Sequence, residues 1–205
     1  NNSFGKHFYA GQAAYKIGTT NAINQDPKWG DPAQMPDQIK LIRMYPGVHG
    51  STFFSSKSVT NNPLGFQDSL RNDYYKYPAL VPAMSWLDSI PPLKPEDLQA
   101  DVLENGVKLN WSLPEPASDG DLPKYFVVYR FDSEEEINLD DPRAIRLISI
   151  NDTTSFIDNF TPDSSKNYAY VVTSFDRLHN ESEPAIIVLN LTTVKEELLP
   201  KGFVL

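Results

Sequence analysis

The chain has 205 residues, 40% of them hydrophobic, with no cysteine and a formal net charge of −9. Lack of cysteine excludes disulfides, a thiolate nucleophile and cysteine-ligated metals. Residues 1–90 carry eight Lys/Arg against six Asp and no Glu, whereas residues 91–205 carry ten against twenty-one acids, a balance that would repel nucleic-acid phosphates.

No run approaches the roughly eighteen apolar residues of a membrane span. Seventeen prolines and ten glycines predict many turns and some stiff linkers. Phe8–Gly18 is mostly small or apolar and ends at glycine, which predicts a buried strand. Thr19–Pro36 is a long polar loop carrying Trp29, and long loops are disproportionately functional. Ala33–Tyr45 has Pro36 near its start and Ile39 and Ile42 at helical spacing, and it stops before Pro46-Gly47, which predicts a helix. Val48–Ser56 predicts a second strand, Asn61–Gly65 a turn, and Phe66–Tyr77 a second helix ended by Pro78.

Strand, helix, strand, helix in this order implies parallel strands with crossovers. Two such units cannot cover both faces of a parallel sheet. The expectation is therefore that 1–90 closes a larger α/β domain. Its strand edges would be covered by a preceding part of the same protein or by another copy.

Residues 91–95 lie in the stiff stretch Ile90–Pro95 and are the expected linker. Residues 96–192 then show short strands with turn signals between them. Val107, Leu109 and Trp111 share one face of Val107–Trp111. Tyr125–Arg130 alternates Tyr125, Val127 and Tyr129 against Phe126, Val128 and Arg130. Ala144–Ile150 and Ser155–Ile157 are weaker strands, and Glu134–Glu136 predicts a solvated loop tip. Asn167–Ala185 opens with Tyr168, Tyr170 and Val172 against Ala169, Val171 and Thr173, as a half-buried strand would. It turns through Asp176–Pro184 and restarts at Ile186–Leu191, which predicts the last hairpin of an antiparallel sandwich. An Asp176–Arg177 ion pair is expected at that turn, and the turn is expected to orient the sandwich against the first domain. Residues 193–205 form a tail.

Trp111, the Tyr125-x-Val127-x-Tyr129 pattern, the corner Phe160-Thr161-Pro162 and Tyr168 together resemble a fibronectin type III domain. In the first ninety residues an ordered series, Tyr9–Lys16, Trp29, Gln38, Arg43, Gly50–Ser55, Pro78–Leu80 and Trp86, resembles the C-terminal part of family ten glycosyl-hydrolase-like proteins. The resemblance implies the end of a (β/α)8 barrel followed by a fibronectin type III or immunoglobulin-like sandwich. It implies a bacterial, extracytoplasmic protein that hydrolyses a polysaccharide or a peptidoglycan glycan, and a glycan as partner. Phe8–Ile17 and His49–Ser56 would be the seventh and eighth barrel strands.

Glycoside hydrolysis ordinarily needs two carboxyl groups in different protonation states. Asp26 and Asp31 follow the first strand, on the face where barrels hold their sites, with loop capping as the alternative role. The resemblance places the family's acids on earlier strands, so no catalytic residue is expected in this chain. In a barrel, Gln12, Tyr15 and Lys16 would face the substrate, with Phe54 and Ser55 at the equivalent end of the next strand. Trp29 would stack on a sugar ring. Core packing is the alternative for Tyr15 and Phe54, and loop pinning for Trp29. His7, His49 and His179 form no ligand motif, and neither metal nor cofactor is expected. A non-catalytic carbohydrate-binding module or an envelope spacer is the other reading.

Overall fold

A computed structural model describes residues 5–19, 26–132, 137–150, 153–163 and 165–191. The chain divides into two compact units, Asn1–Pro82 and Ala83–Leu205. The division falls ahead of the proline-rich stretch, so residues 83–95 belong with the sandwich.

The first unit holds a two-stranded parallel sheet of β1 (Tyr9–Gln12) and β2 (Gly50–Phe53), in register from Tyr9 opposite Gly50 to Gln12 opposite Phe53. Between them lies α1 (Gln34–Arg43), and after them come α2 (Ser56–Thr60) and α3 (Phe66–Ser69), the last widening into a π turn over Leu70–Tyr74. Asp37 in the first turn of α1 and Lys40 and Arg43 in its last turn complement the helix dipole. Met35 and Ile39, four residues apart, lie one above the other on the buried face. They meet Ala14, Ile17 and Phe66 in a small core, flanked by Trp29, Phe53, Val59, Leu70 and Tyr74. Fully burying Met35 or Ile39 is worth about 1.5–3 kcal/mol each.

Three expectations for this unit are corrected. The first strand stops at Gln12, and Ala14–Lys16 turns as a 3-10 helix, because the Tyr15 N–H reaches across to the Phe54 carbonyl at 3.0 Å. The second strand stops at Phe53, and Ser56 already opens α2. The predicted helix Phe66–Tyr77 is one α turn followed by the π turn, closed where the Tyr75 N–H bonds the Leu70 carbonyl. Among the described residues β1 and β2 pair only with each other.

The second unit is an antiparallel β-sandwich. One sheet orders β3 (Glu96–Leu103), β4 (Gly106–Ser112) and β7 (Ser155–Asn159) as β3-β4-β7. The other orders β6 (Ile145–Ile148), β5 (Tyr125–Asp132), β8 (Asn167–Phe175) and β9 (Ala185–Asn190) as β6-β5-β8-β9. First, second and fifth strands against third, fourth, sixth and seventh is a fibronectin type III or immunoglobulin-like arrangement. The strand Glu96–Leu103 is not announced by the sequence, because its charged residues hide the alternation. Inward residues Val107, Leu109, Trp111, Phe126, Val128, Tyr168, Tyr170 and Val172 form the core. The Tyr168 hydroxyl accepts the Asp163 N–H at 3.1 Å, and the ring meets Phe160 edge-on, so the tyrosine corner forms beside the expected Phe-Thr-Pro segment.

The half-buried expectation for Asn167–Phe175 is corrected. Ala169, Val171 and Thr173 on the second face are as buried as the core face, as are Val127 and Tyr129 on β5. The Asp176–Ser182 turn folds back over that face, where Glu181 accepts hydrogen bonds from the Tyr129 and Thr173 hydroxyls at 2.9 and 2.8 Å. The expected Asp176–Arg177 ion pair does not form. Asp176 is fully buried and accepts from the Leu178 and Asn180 N–H groups and the Asn180 side chain. Arg177 pairs with Asp121 instead, at 3.1 Å. The turn also holds residues of its own unit, through Met84 N–H to the Leu178 carbonyl and Asn180 Nδ2 to the Asp88 carbonyl. The expected loop tip Glu134–Glu136 and the tail 193–205 lie outside the described residues.

Candidate functional site

Parallel pairing puts the carboxyl ends of β1 and β2 side by side. The Phe54 N–H donates to the Gln12 carbonyl and the Tyr15 N–H to the Phe54 carbonyl, both at 3.0 Å. These two bonds carry the pairing past the strands and bring Tyr15 and Phe54 together, ring centroids 5.9 Å apart and edge-to-face. Both rings are exposed, Tyr15 at 49% and Phe54 at 69%. Phe54 is joined to Ser55 by a cis peptide bond. Trp29 sits on the 3-10 turn Pro27–Gly30 and is tied by its carbonyl to the Gly18 N–H at 2.8 Å. The Lys16 ammonium lies 5.3 Å from the indole centroid and 6.0 Å from that of Tyr15, within cation–π range.

Of the six residues singled out from sequence, Tyr15, Lys16, Trp29 and Phe54 thus form one aromatic–cationic platform. Tyr15 and Lys16 reach it from the 3-10 turn and not from a strand end, which corrects the placement while keeping the juxtaposition. Trp29 also packs on the small core, so it pins its loop as well. Ser55 precedes α2 and lies 3.4 Å, oxygen to oxygen, from Ser58. Gln12 is 5% exposed; its Nε2 is 3.5 Å from the Gln38 side-chain Oε1, and its own Oε1 has no hydrogen-bond partner among the described residues. A buried amide oxygen without a donor is costly.

Four of the five acids of this unit are engaged structurally. Asp26 accepts the Lys28 N–H and Asp31 the Ala33 N–H, the capping role. Asp37 pairs with Lys40 along α1, and Asp68 accepts from Asn62. His7 and His49, 42 positions apart in the chain, have ring centroids 4.9 Å apart at the opposite end of the strands. Each has a bond through Nδ1, His7 with the Tyr9 hydroxyl and His49 with the Phe8 N–H.

Sequence reasoning missed two charged clusters in the sandwich. Asp88, Asp119 and Asp121 bring carboxylate oxygens within 4.8 Å of one another, a donor set suited to a hard cation. Their oxygens also serve the Ile90 N–H, the Asp121 N–H and Arg177. The second cluster bridges the sheets. Asp158 on β7 accepts from Arg130 on β5 at 2.6 Å and from the Tyr170 hydroxyl on β8 at 2.9 Å, with Arg146 at 4.0 Å. Arg130 also lies 3.8 Å from the Phe160 ring centroid. The signal was available: Arg130 continues the inward series Phe126, Val128, where a cation demands a partner. Burial and the nearby Asp158 carboxylate push the Tyr170 hydroxyl well above its usual range. Burial, then Glu181 and Asp176, push Tyr125 up to about 12.

Strand order and register define the class: a short α/β segment followed by a fibronectin type III or immunoglobulin-like sandwich. No family model matches the chain. It is 40% identical over 177 residues to Glycosyl hydrolase YngK of Bacillus subtilis (strain 168), covering 86% of this chain and 33% of that protein. The chain is thus related to a bacterial glycosyl hydrolase and spans about a third of its length. Among solved structures, the third fibronectin III domain of human KIAA0343 protein is 12% identical, with a TM-score of 0.38 over 50% of this chain and 84% of that one. The spore cortex lytic enzyme SleM of Clostridium perfringens is 16% identical, with a TM-score of 0.35 over 48% of this chain and 28% of that one. Scores this low carry no argument, and the fold rests on the strand order above.

Proposed function

We propose that this chain is the carboxyl-terminal part of a bacterial, extracytoplasmic glycoside hydrolase acting on a polysaccharide or a peptidoglycan glycan. Its first unit supplies one wall of the substrate groove, and its sandwich is accessory. The observation that carries this reading is the Tyr15–Lys16–Trp29–Phe54 platform at the carboxyl ends of two parallel strands, in a chain related to a glycosyl hydrolase. That is the face on which (β/α)8 enzymes bind their substrates. Exposed aromatic faces and edges suit the C–H surface of a sugar ring, and the phenol and ammonium suit its hydroxyls.

On this reading β1 and β2 are the last strands of a barrel whose earlier strands continue the sheet. The unpartnered Gln12 oxygen would meet a donor there. The acid and base lie on those earlier strands, because the acids of this unit cap turns or sit on helices. The chain alone therefore binds glycan weakly and does not cleave it. The test is release of reducing ends from peptidoglycan and from neutral polysaccharides by these 205 residues. Turnover by this chain alone refutes the assignment. Loss of turnover on Trp29→Ala in the longer protein, with its fold retained, supports it.

A further inference from the structure

The sandwich carries a groove of about 380 Å³, within the size range of small-ligand sites, about 300–1,000 Å³. Its lining includes the cations Arg130, Arg143, Arg146 and Lys166, the acids Asp132 and Asp141, and the rings of Phe160 and Tyr168. Four cations converge here in a second half that is otherwise strongly acidic. Three have close carboxylates: Arg143 has Asp141 at 2.7 Å, Lys166 has Asp132 at 2.9 Å, and Arg130 has Asp158 at 2.6 Å.

Arg146 differs. Its Nη1 donates to the Arg143 and Ile145 carbonyls, and its Nε lies 4.0 Å from Asp158, a carboxylate already taken by Arg130 and Tyr170. Two guanidinium groups thus share one buried acid, and among the described residues the groove with the adjoining Asp158 sets four cations against three carboxylates. Burial, then the neighbouring Arg130 charge, hold the Arg146 guanidinium below its usual range. An anion placed in the groove would offset the repulsion between Arg130 and Arg146 and stabilise the charged guanidinium, which is suited to hold a carboxylate through two parallel bonds.

We infer that this groove binds an acidic saccharide unit through its carboxylate, with Arg146 as the principal anchor. The anion chemistry stands on the groove; the saccharide rests on the glycan-hydrolase reading above. The sandwich would then hold an anionic stretch of a glycan at a position distinct from the aromatic platform.

The test is titration of the 205-residue chain with trigalacturonate at low ionic strength, by calorimetry and by amide chemical shifts. Maltotriose and potassium sulfate are the comparison probes. The expected result is saturable trigalacturonate binding, weakened by salt, that shifts the amides of Arg130, Arg146 and Tyr168. Arg146→Gln should weaken it about tenfold, the loss of one charge-assisted contact, and Arg146→Lys should restore part of it. An unchanged amide spectrum elsewhere shows that the variants are folded. No binding, unchanged binding by Arg146→Gln, equal shifts with maltotriose, or sulfate binding as tightly as trigalacturonate would each overturn the inference. If trigalacturonate fails while Trp29-dependent binding of neutral glycans persists, the groove falls and the hydrolase reading stands. If only the Trp29-dependent binding is lost, the reverse holds.

Discussion

Asp158→Ala removes the acid that ties the two sheets together. The carboxylate is nearly buried, accepts from Arg130 at 2.6 Å and Tyr170 at 2.9 Å, and is the nearby acid of Arg146. Its loss leaves the Arg130 guanidinium and the Tyr170 hydroxyl without this acceptor and removes the carboxylate nearest Arg146. Breaking a buried pair by removing one partner costs about 3–5 kcal/mol. At 1.4 kcal/mol per decade, amide exchange through global opening should quicken by roughly two to three and a half decades. The assay is native-state hydrogen exchange of the β5 and β8 amides, which reads the sandwich without the first unit. Asp158→Asn should fall between wild type and alanine, because an amide oxygen still accepts from Tyr170. Exchange quickened by less than one decade in Asp158→Ala would show that the cluster is solvated and that the inter-sheet argument is wrong.

Gly106 has φ +152°, and a Cβ there would stand 2.3 Å from the Asp158 carbonyl oxygen. Gly106→Ala should therefore cost about 2 kcal/mol or more by backbone displacement, read as a lower urea midpoint for the sandwich. Met35→Ala should cost about 2–5 kcal/mol in the first unit through the cavity it leaves, and its effect should be confined to α1, α3 and the Phe66 environment in amide exchange. Raised tyrosine pKa values have a defined sign. Tyr125 is lifted from 10.0 to about 12 in the folded state, and Tyr129 and Tyr170 are lifted too. The stability they contribute is complete below about pH 10 and is lost progressively above it, through about 12 for Tyr125 and beyond that for Tyr129 and Tyr170, because the unfolded phenols ionise first. Urea midpoints should thus fall above about pH 10, and the ultraviolet phenolate signal of Tyr129 and Tyr170 should appear only with unfolding.

The sandwich was legible because a buried antiparallel strand declares itself by alternation. Trp111, Tyr125–Tyr129 and Tyr168–Val172 all carry that period, and the strands formed where it was strongest. The charged β3 did not declare itself, and neither did the burial of the second face of β8. That burial depends on the Asp176–Ser182 turn folding back, a tertiary event with no local signal. In the first unit the small residues Gly11, Ala13 and Ala14 predict a long strand, but the bond from the Tyr15 N–H to the Phe54 carbonyl ends it early. Propensity is weak where one hydrogen bond decides between strand and 3-10 turn. The platform residues were identifiable by type, whereas their distances depended on the parallel register. The Arg130–Asp158–Tyr170 cluster was only half visible: the inward arginine could be read from alternation, its partners on two other strands could not.

The central claim is that Tyr15, Lys16, Trp29 and Phe54 form a glycan-binding face. It is tested most directly by calorimetric titration of this chain and of its Trp29→Ala variant with neutral oligosaccharides and soluble peptidoglycan fragments. Removing a tryptophan anchor costs about 2 kcal/mol or more, so binding should weaken roughly thirtyfold in the variant while the sandwich stays folded. Equal affinity in the two proteins, or no binding by either, would contradict the account.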